Sequence, residues 1–131
     1  MSRSSLEVLR HILDELDYLL RVSKDLSQDA FVEDETLKRA FVRSLEIVGE
    51  AAKNVMPEIT AQFSEIDWRG MAGMRDRLIH GYFGVDYGLV WDVVANKVPN
   101  LRVQIVELVA RLANAQKAIS DPKPPAENGS I

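Results

Sequence analysis

The sequence predicts an all-α fold, an antiparallel bundle of four to five helices. Three observations carry that reading. Apolar residues recur at threes and fours through four long stretches, the period of a helix with one buried face. No alternating apolar and polar run of strand length is flanked by hairpin turns. Of the five prolines, only Pro57 and Pro99 fall within the first 120 residues, so little interrupts helix there.

The first stretch runs from Ser4 to Lys24. Ser4 and Glu7 form a capping-box pair at its start, and Leu6, Leu9, Ile12, Leu13, Leu16, Leu19 and Leu20 make its apolar face. The second runs from Asp34 to Met56. Its opening acids suit the positive end of a helix dipole. Leu37, Phe41, Leu45, Val48, Ala52 and Val55 form its stripe, and Pro57 is expected to end it. Gly49 sits inside this helix at a cost of about 1 kcal/mol against alanine, which points to a close approach of another helix. The third runs from Asp67 to His80, with Gly81 placed to terminate it. The fourth starts at Asp86, a good N-cap. At Pro99 it either kinks or gives way to a new helix reaching Ile119.

Length and composition narrow the function. The 131 residues suit one domain, read as residues 1–120, followed by a disordered Pro-rich tail at 121–131, DPKPPAENGSI. The absence of cysteine removes disulfides, thiolate metal sites and cysteine nucleophiles. Two histidines cannot build a three-histidine metal centre in one chain. A net charge of -4 argues against a basic nucleic-acid coat, though not against a local basic site. The first 25 residues carry charges throughout, and no segment approaches the roughly 18 apolar residues that span a bilayer. The expectation is a cytoplasmic protein with no membrane partner.

The segment MRDRLIHGYFG, Met74 to Gly84, concentrates the chemistry. Residues four apart differ by about 40° around a helix, so Asp76 and His80 share a face. A carboxylate beside an imidazole steadies its protonated form and its orientation. Arg75 and His80 are five apart, about 140° around the helix. They converge on one substrate only if the helix loosens at His80 or a second chain supplies one of them. Histidine serves as acid and base near neutral pH, and a guanidinium stabilises a phosphorane. Together these residue types suit RNA cleavage. The plain alternative is a histidine favoured by the helix C-terminal dipole, beside a solvated face of Arg75, Asp76 and Arg77.

Arg75-x4-His80-x-Tyr82 resembles the signature of the HepT-like toxins of the HEPN-domain ribonuclease superfamily. The resemblance extends through IDWRGMAGMRDRLIHGYFGVDYGLVWDVV, residues 66–94, and RSLEIVGEAAKNV, residues 43–55, and covers residues 4–118. It implies a HEPN-like, homodimeric, all-α endoribonuclease that cuts RNA without metal, with the motifs of two protomers lining one cleft. Carried over, Arg75 and His80 are the catalytic pair, Asp76 supports them, and Tyr82 is the regulatory position. The implied antitoxin is an MntA-like minimal nucleotidyltransferase, which transfers AMP from ATP onto Tyr82. The chain itself needs no cofactor, since that ATP is used by the partner. Bulk and negative charge beside His80 would repel an RNA phosphate. Dimerisation would also supply two copies of His80 for acid and base.

Arg43, Glu46, Glu50 and Lys53 recur at spacings of three, four and three. They fit a ladder of surface ion pairs, the reading preferred for Lys53. Arg43, Glu46 and Glu50, with Arg77, are also candidates for the border of the cleft. His11, beside Arg10, reads as a surface or interface residue. Trp68 and Trp91 read as core or interface anchors. Tyr87 and Phe83 flank the glycine-rich turn as candidates for the cleft rim. GYFG and GVDYG lack a phosphate-loop pattern, so ATP hydrolysis by this chain is not expected. Two other function classes compete. One is a non-catalytic module that binds nucleotide or docks a nucleotidyltransferase. The other is a purely structural helical dimer.

Overall fold

A computed structural model describes residues 4–81 and 84–120, leaving out the side chains of residues 119 and 120. Tyr82, Phe83 and the expected tail at 121–131 lie outside the described residues. The chain is all-helical among the described residues: α1 (Ser5–Ser23), α2 (Gln28–Glu33), α3 (Glu35–Lys53), α4 (Pro57–Gln62), α5 (Trp68–Ile79), α6 (Tyr87–Asp92) and α7 (Val98–Ser120). A π-helical turn, Val93–Lys97, joins α6 to α7.

The expected count of four to five helices is corrected to seven α-helices among the described residues. The four long stretches hold, but α2 and α4 are added, six residues each. Each is too short to show a helical period in sequence. Pro57 does not end the second long helix. That helix stops at Lys53, capped by Asn54, and Pro57 opens α4 at a first-turn position, where a missing N–H costs nothing. At Pro99 the second expected outcome is seen: a new helix, α7, starts there, with Pro99 as its second residue. The proline lies in the first turn of α7, just after the π-helical turn, in which the Val98 N–H reaches back five residues to the Val93 carbonyl. Proline cannot donate to the carbonyl four residues back, and its ring crowds that carbonyl. A widened turn absorbs both problems.

The helix starts follow the sequence. Ser4 Oγ accepts the Glu7 N–H at 3.2 Å, and Asp34 Oδ1 accepts the Leu37 N–H at 2.9 Å. Asp67 and Asp86 cap α5 and α6 in the same way, at 2.9 and 3.1 Å. The core runs between α1, α3 and α7, with Leu9, Ile12, Leu16, Phe41, Ile105 and Leu108 almost fully buried. Two buried serines pin α1 antiparallel to α3. Ser5 Oγ accepts the Met56 N–H at 3.1 Å, and Ser44 Oγ donates to the Glu15 carbonyl at 3.5 Å. Asp17 and Arg102 tie α1 to α7. Phe31 from α2 stacks between Phe41 and Trp91, ring centroids 4.9 and 5.5 Å away, and so anchors α6 to α3. Trp68 donates its indole N–H to the Phe63 carbonyl at 3.1 Å and packs on the core, as does Trp91. No helix of the described residues is long and apolar enough to cross a membrane.

The tightest packing is where α3 crosses α5. A Cβ built on Gly49 would stand 2.3 Å from Arg75 Cβ and 2.5 Å from the Met71 carbonyl oxygen. Gly49 therefore lets the two helices meet backbone to backbone. Gly73 on α5 faces open space at its missing Cβ. The two glycines should respond with opposite signs. Gly49→Ala should lower stability by about 1–3 kcal/mol through overpacking, despite better helix propensity. Gly73→Ala should raise it by about 0.5–1 kcal/mol. Urea denaturation of both variants checks this, and a Gly49→Ala protein as stable as wild type would refute the close crossing.

Candidate functional site

The site begins where α5 runs out. His80 is the C-cap residue of α5, with ψ at 14°, and its N–H still bonds the Asp76 carbonyl. The helix thus loosens at His80, one of the two conditions for bringing Arg75 and His80 toward one substrate. His80 is exposed, Arg75 is partly buried, and both sit on the side of α5 next to the α3 crossing or at its end.

Asp76 joins them. His80 Nδ1 lies 2.7 Å from the Asp76 carbonyl oxygen. A carbonyl oxygen only accepts, so Nδ1 carries the hydrogen and donates it. In the neutral ring this leaves Nε2 with the lone pair. The expectation that Asp76 and His80 share a face holds, but the group that meets the imidazole is the backbone carbonyl, not the carboxylate. The carboxylate turns the other way. Its Oδ1 accepts from Lys53 Nζ at 2.7 Å and from Arg75 Nη1 at 3.2 Å.

Glu50 completes the cluster. Its Oε2 lies 3.1 Å from Arg75 Nε. The Nε hydrogen is not aligned on that oxygen, and Nε is buried without a hydrogen-bond partner. The contact is therefore one of charge rather than a directed hydrogen bond. Glu50, Arg75, Asp76 and Lys53 alternate in sign across the α3–α5 crossing. This corrects the expected ladder along one helix. Glu50 and Lys53 reach across to α5 instead of pairing with Arg43 and Glu46. Arg43, Glu46 and Arg77 make no ion pair among the described residues; Arg43 lines a groove between α1 and α3 that also takes in Glu50.

Two features of this neighbourhood were missed in sequence. Lys53 is a direct partner of Asp76, and His11 lines the same groove as Arg43 and Glu50. The available signal was Gly49: a glycine marking a helix crossing also marks its neighbours on that face as candidates to reach across. A cavity of about 310 Å³ lies elsewhere, among Met71, Met74, Asn96, Lys97, Leu101 and Gln104. None of Arg43, Glu50, Arg75, Asp76 or His80 lines it. Tyr87 packs its ring 6.5 Å from Phe31 and takes Lys38 Nζ over its face at 4.6 Å. No group of three or more His, Asp or Glu side chains among the described residues is placed to hold a metal ion.

With this geometry in hand, comparison with known proteins decides the family. Residues 12–108 match the model of the family described as Ribonuclease HepT-like. The chain belongs to the HepT-like ribonuclease family. The matched span runs from α1 into α7 and contains every residue of the charge cluster together with His80 and Tyr82. A relative from Caldanaerobacter subterraneus subsp. tengcongensis, named "Putative RNase", is 46% identical over 79% of this chain and 92% of its own length. One from Methanocaldococcus jannaschii with the same style of name is 40% identical over 77% of this chain and 84% of its own. "Probable ribonuclease HepT" from Thermococcus cleftensis is 36% identical over 82% and 98%. No solved structure matches the chain.

The contacts of Asp76 make a testable electrostatic statement about this HepT-like chain. Its pKa is lowered from the ordinary 3.8, first by the Lys53 hydrogen bond and then by Arg75. With the folded-state value depressed, these contacts stabilise the fold above the ordinary value. That contribution is lost as pH falls through the depressed one. Lys53→Met should move the Asp76 titration, followed by NMR of its carboxyl carbon, upward toward 3.8. A midpoint equal to wild type would show that Lys53 does not hold it down.

Proposed function

We propose that this HepT-like protein is a toxin endoribonuclease that cuts RNA without metal and works as a homodimer. The observation that carries the reading is the double engagement of Asp76, whose carbonyl orients His80 while its carboxylate holds Arg75. An Nδ1–H tautomer presents Nε2 to solvent as a base. It would take the proton of a ribose 2′-OH, the 2′ oxygen would attack the adjacent phosphorus, and the 5′ oxygen would leave with a proton from an acid. The His80 of the second protomer is the natural acid. Arg75 carries its Nε and Nη1 toward the carboxylates, which leaves its Nη2 edge to bond phosphorane oxygens.

Control in this proposal rests on Tyr82, two residues beyond His80. A cognate MntA-like nucleotidyltransferase would use ATP to place AMP on the Tyr82 oxygen, with pyrophosphate leaving. The added negative charge beside His80 would then repel the RNA phosphate.

His80→Ala should lower cleavage of total RNA, measured with EDTA present, by about 10²–10⁴-fold. Cleavage equal to wild type would remove His80 from the chemistry. Co-expression with the neighbouring nucleotidyltransferase should add AMP mass to the peptide containing Tyr82, and Tyr82→Phe should abolish that increment. AMP on the Tyr82→Phe protein at the wild-type level would place the modification elsewhere.

A further inference from the structure

An open groove of about 520 Å³ runs between α1 and α3, within the size range of small-ligand sites. Val8 and Ile47 give it an apolar floor, and His11, Arg43, Glu50 and Asn54 give it a polar rim. The proposed chemistry uses neither His11 nor Asn54. Glu50 is the wall shared with the catalytic cluster. Its carboxylate lies against Arg75, and its backbone carbonyl accepts from Asn54 Nδ2 at 3.0 Å. The groove and Arg75 therefore lie on either side of one residue.

Charge and chemistry point to the occupant. Arg75 already matches the Glu50 charge, so the formal charge left on the rim is the cation of Arg43. This is a local cationic groove on a chain of net charge -4. Single-stranded RNA combines an anionic backbone, a flat apolar base and base edges that both donate and accept. Arg43 suits the phosphate, Val8 and Ile47 the base face, and the Asn54 amide and His11 imidazole the polar edges.

We propose that this groove is a nucleotide subsite for single-stranded RNA, seating a nucleotide next to the one cut at Arg75 and His80. The proposal rests on the ribonuclease reading for its substrate class, but it is a claim about binding and is tested as one.

The test uses the full chain and a non-cleavable single-stranded RNA with 2′-O-methyl riboses, titrated by fluorescence anisotropy over a range of salt concentrations. Arg43→Gln should weaken binding several-fold. It should also reduce the slope of log affinity against log salt by about 0.7, the share of one phosphate contact on a single strand. Arg111→Gln, which removes a charge from the exposed face of α7, should bind as wild type does. Arg43→Gln with wild-type affinity and slope would overturn the proposal. So would equal weakening by both variants, which would mark a general charge effect. Loss of a wild-type dimer on Arg43→Gln, seen by sedimentation, would overturn it too, because a second copy would then cover the groove. RNA that binds as expected but stays intact once its 2′-OH groups are restored would sink the ribonuclease reading alone. RNA that is cut while Arg43→Gln binds normally would sink the groove alone.

Discussion

The close crossing of α3 and α5 at Gly49 is the constraint on which the site depends. Without a side chain at that position, the Arg75 Cβ and the Met71 carbonyl come against the α3 backbone itself. Glycine inside a helix costs about 1 kcal/mol in propensity, so the position works against its own helix. What offsets it is the meeting of two helices at a distance where short reaches suffice. Glu50 and Lys53, one and four residues after Gly49 on α3, then lie within contact range of Arg75 and Asp76. A wider crossing would leave those four side chains in water, where ion pairs contribute little.

The charge cluster matters for geometry more than for stability. Asp76 and Glu50 are about half exposed, and Lys53 only somewhat less, so solvent and salt screen their attraction. The contribution of the cluster is to limit where the Arg75 guanidinium and the Asp76 carboxylate can point. Asp76 is the hinge of the arrangement because it uses two different groups. Its carboxylate faces α3, and its carbonyl, near the end of α5, accepts both the backbone N–H and the imidazole of His80. The histidine at the C-cap adds a second hydrogen bond to the carbonyl that its own N–H already meets, and its ring is oriented in doing so.

Much of this was legible in the residues, and the failures have physical causes. The four long amphipathic stretches, the aspartate and serine caps and the meaning of Gly49 follow from periodicity and local hydrogen bonding. The short helices α2 and α4 do not, because six residues cannot display a period of 3.6 with any redundancy. Pro57 was misread because proline both stops one helix and starts the next, and the deciding factor is the backbone after it. The spacing of Asp76 and His80 was informative about the face they share but silent on which oxygen would meet the ring. The ladder of Arg43, Glu46, Glu50 and Lys53 failed for a related reason. Long side chains choose between partners on their own helix and partners across a crossing, and only the crossing shows which are near.

By itself the sequence determined the helical class, the main helix starts and the stretch that concentrates Arg75, Asp76, His80 and Tyr82. These are local properties, set by periodicity, capping and order along the chain. The tertiary structure decided the company those residues keep. It set Glu50 and Lys53 of α3 against α5, gave His80 a backbone carbonyl in place of a carboxylate, and put His11 on the groove of Arg43. Residues distant in sequence become neighbours only through packing, and here the packing turns on one missing Cβ.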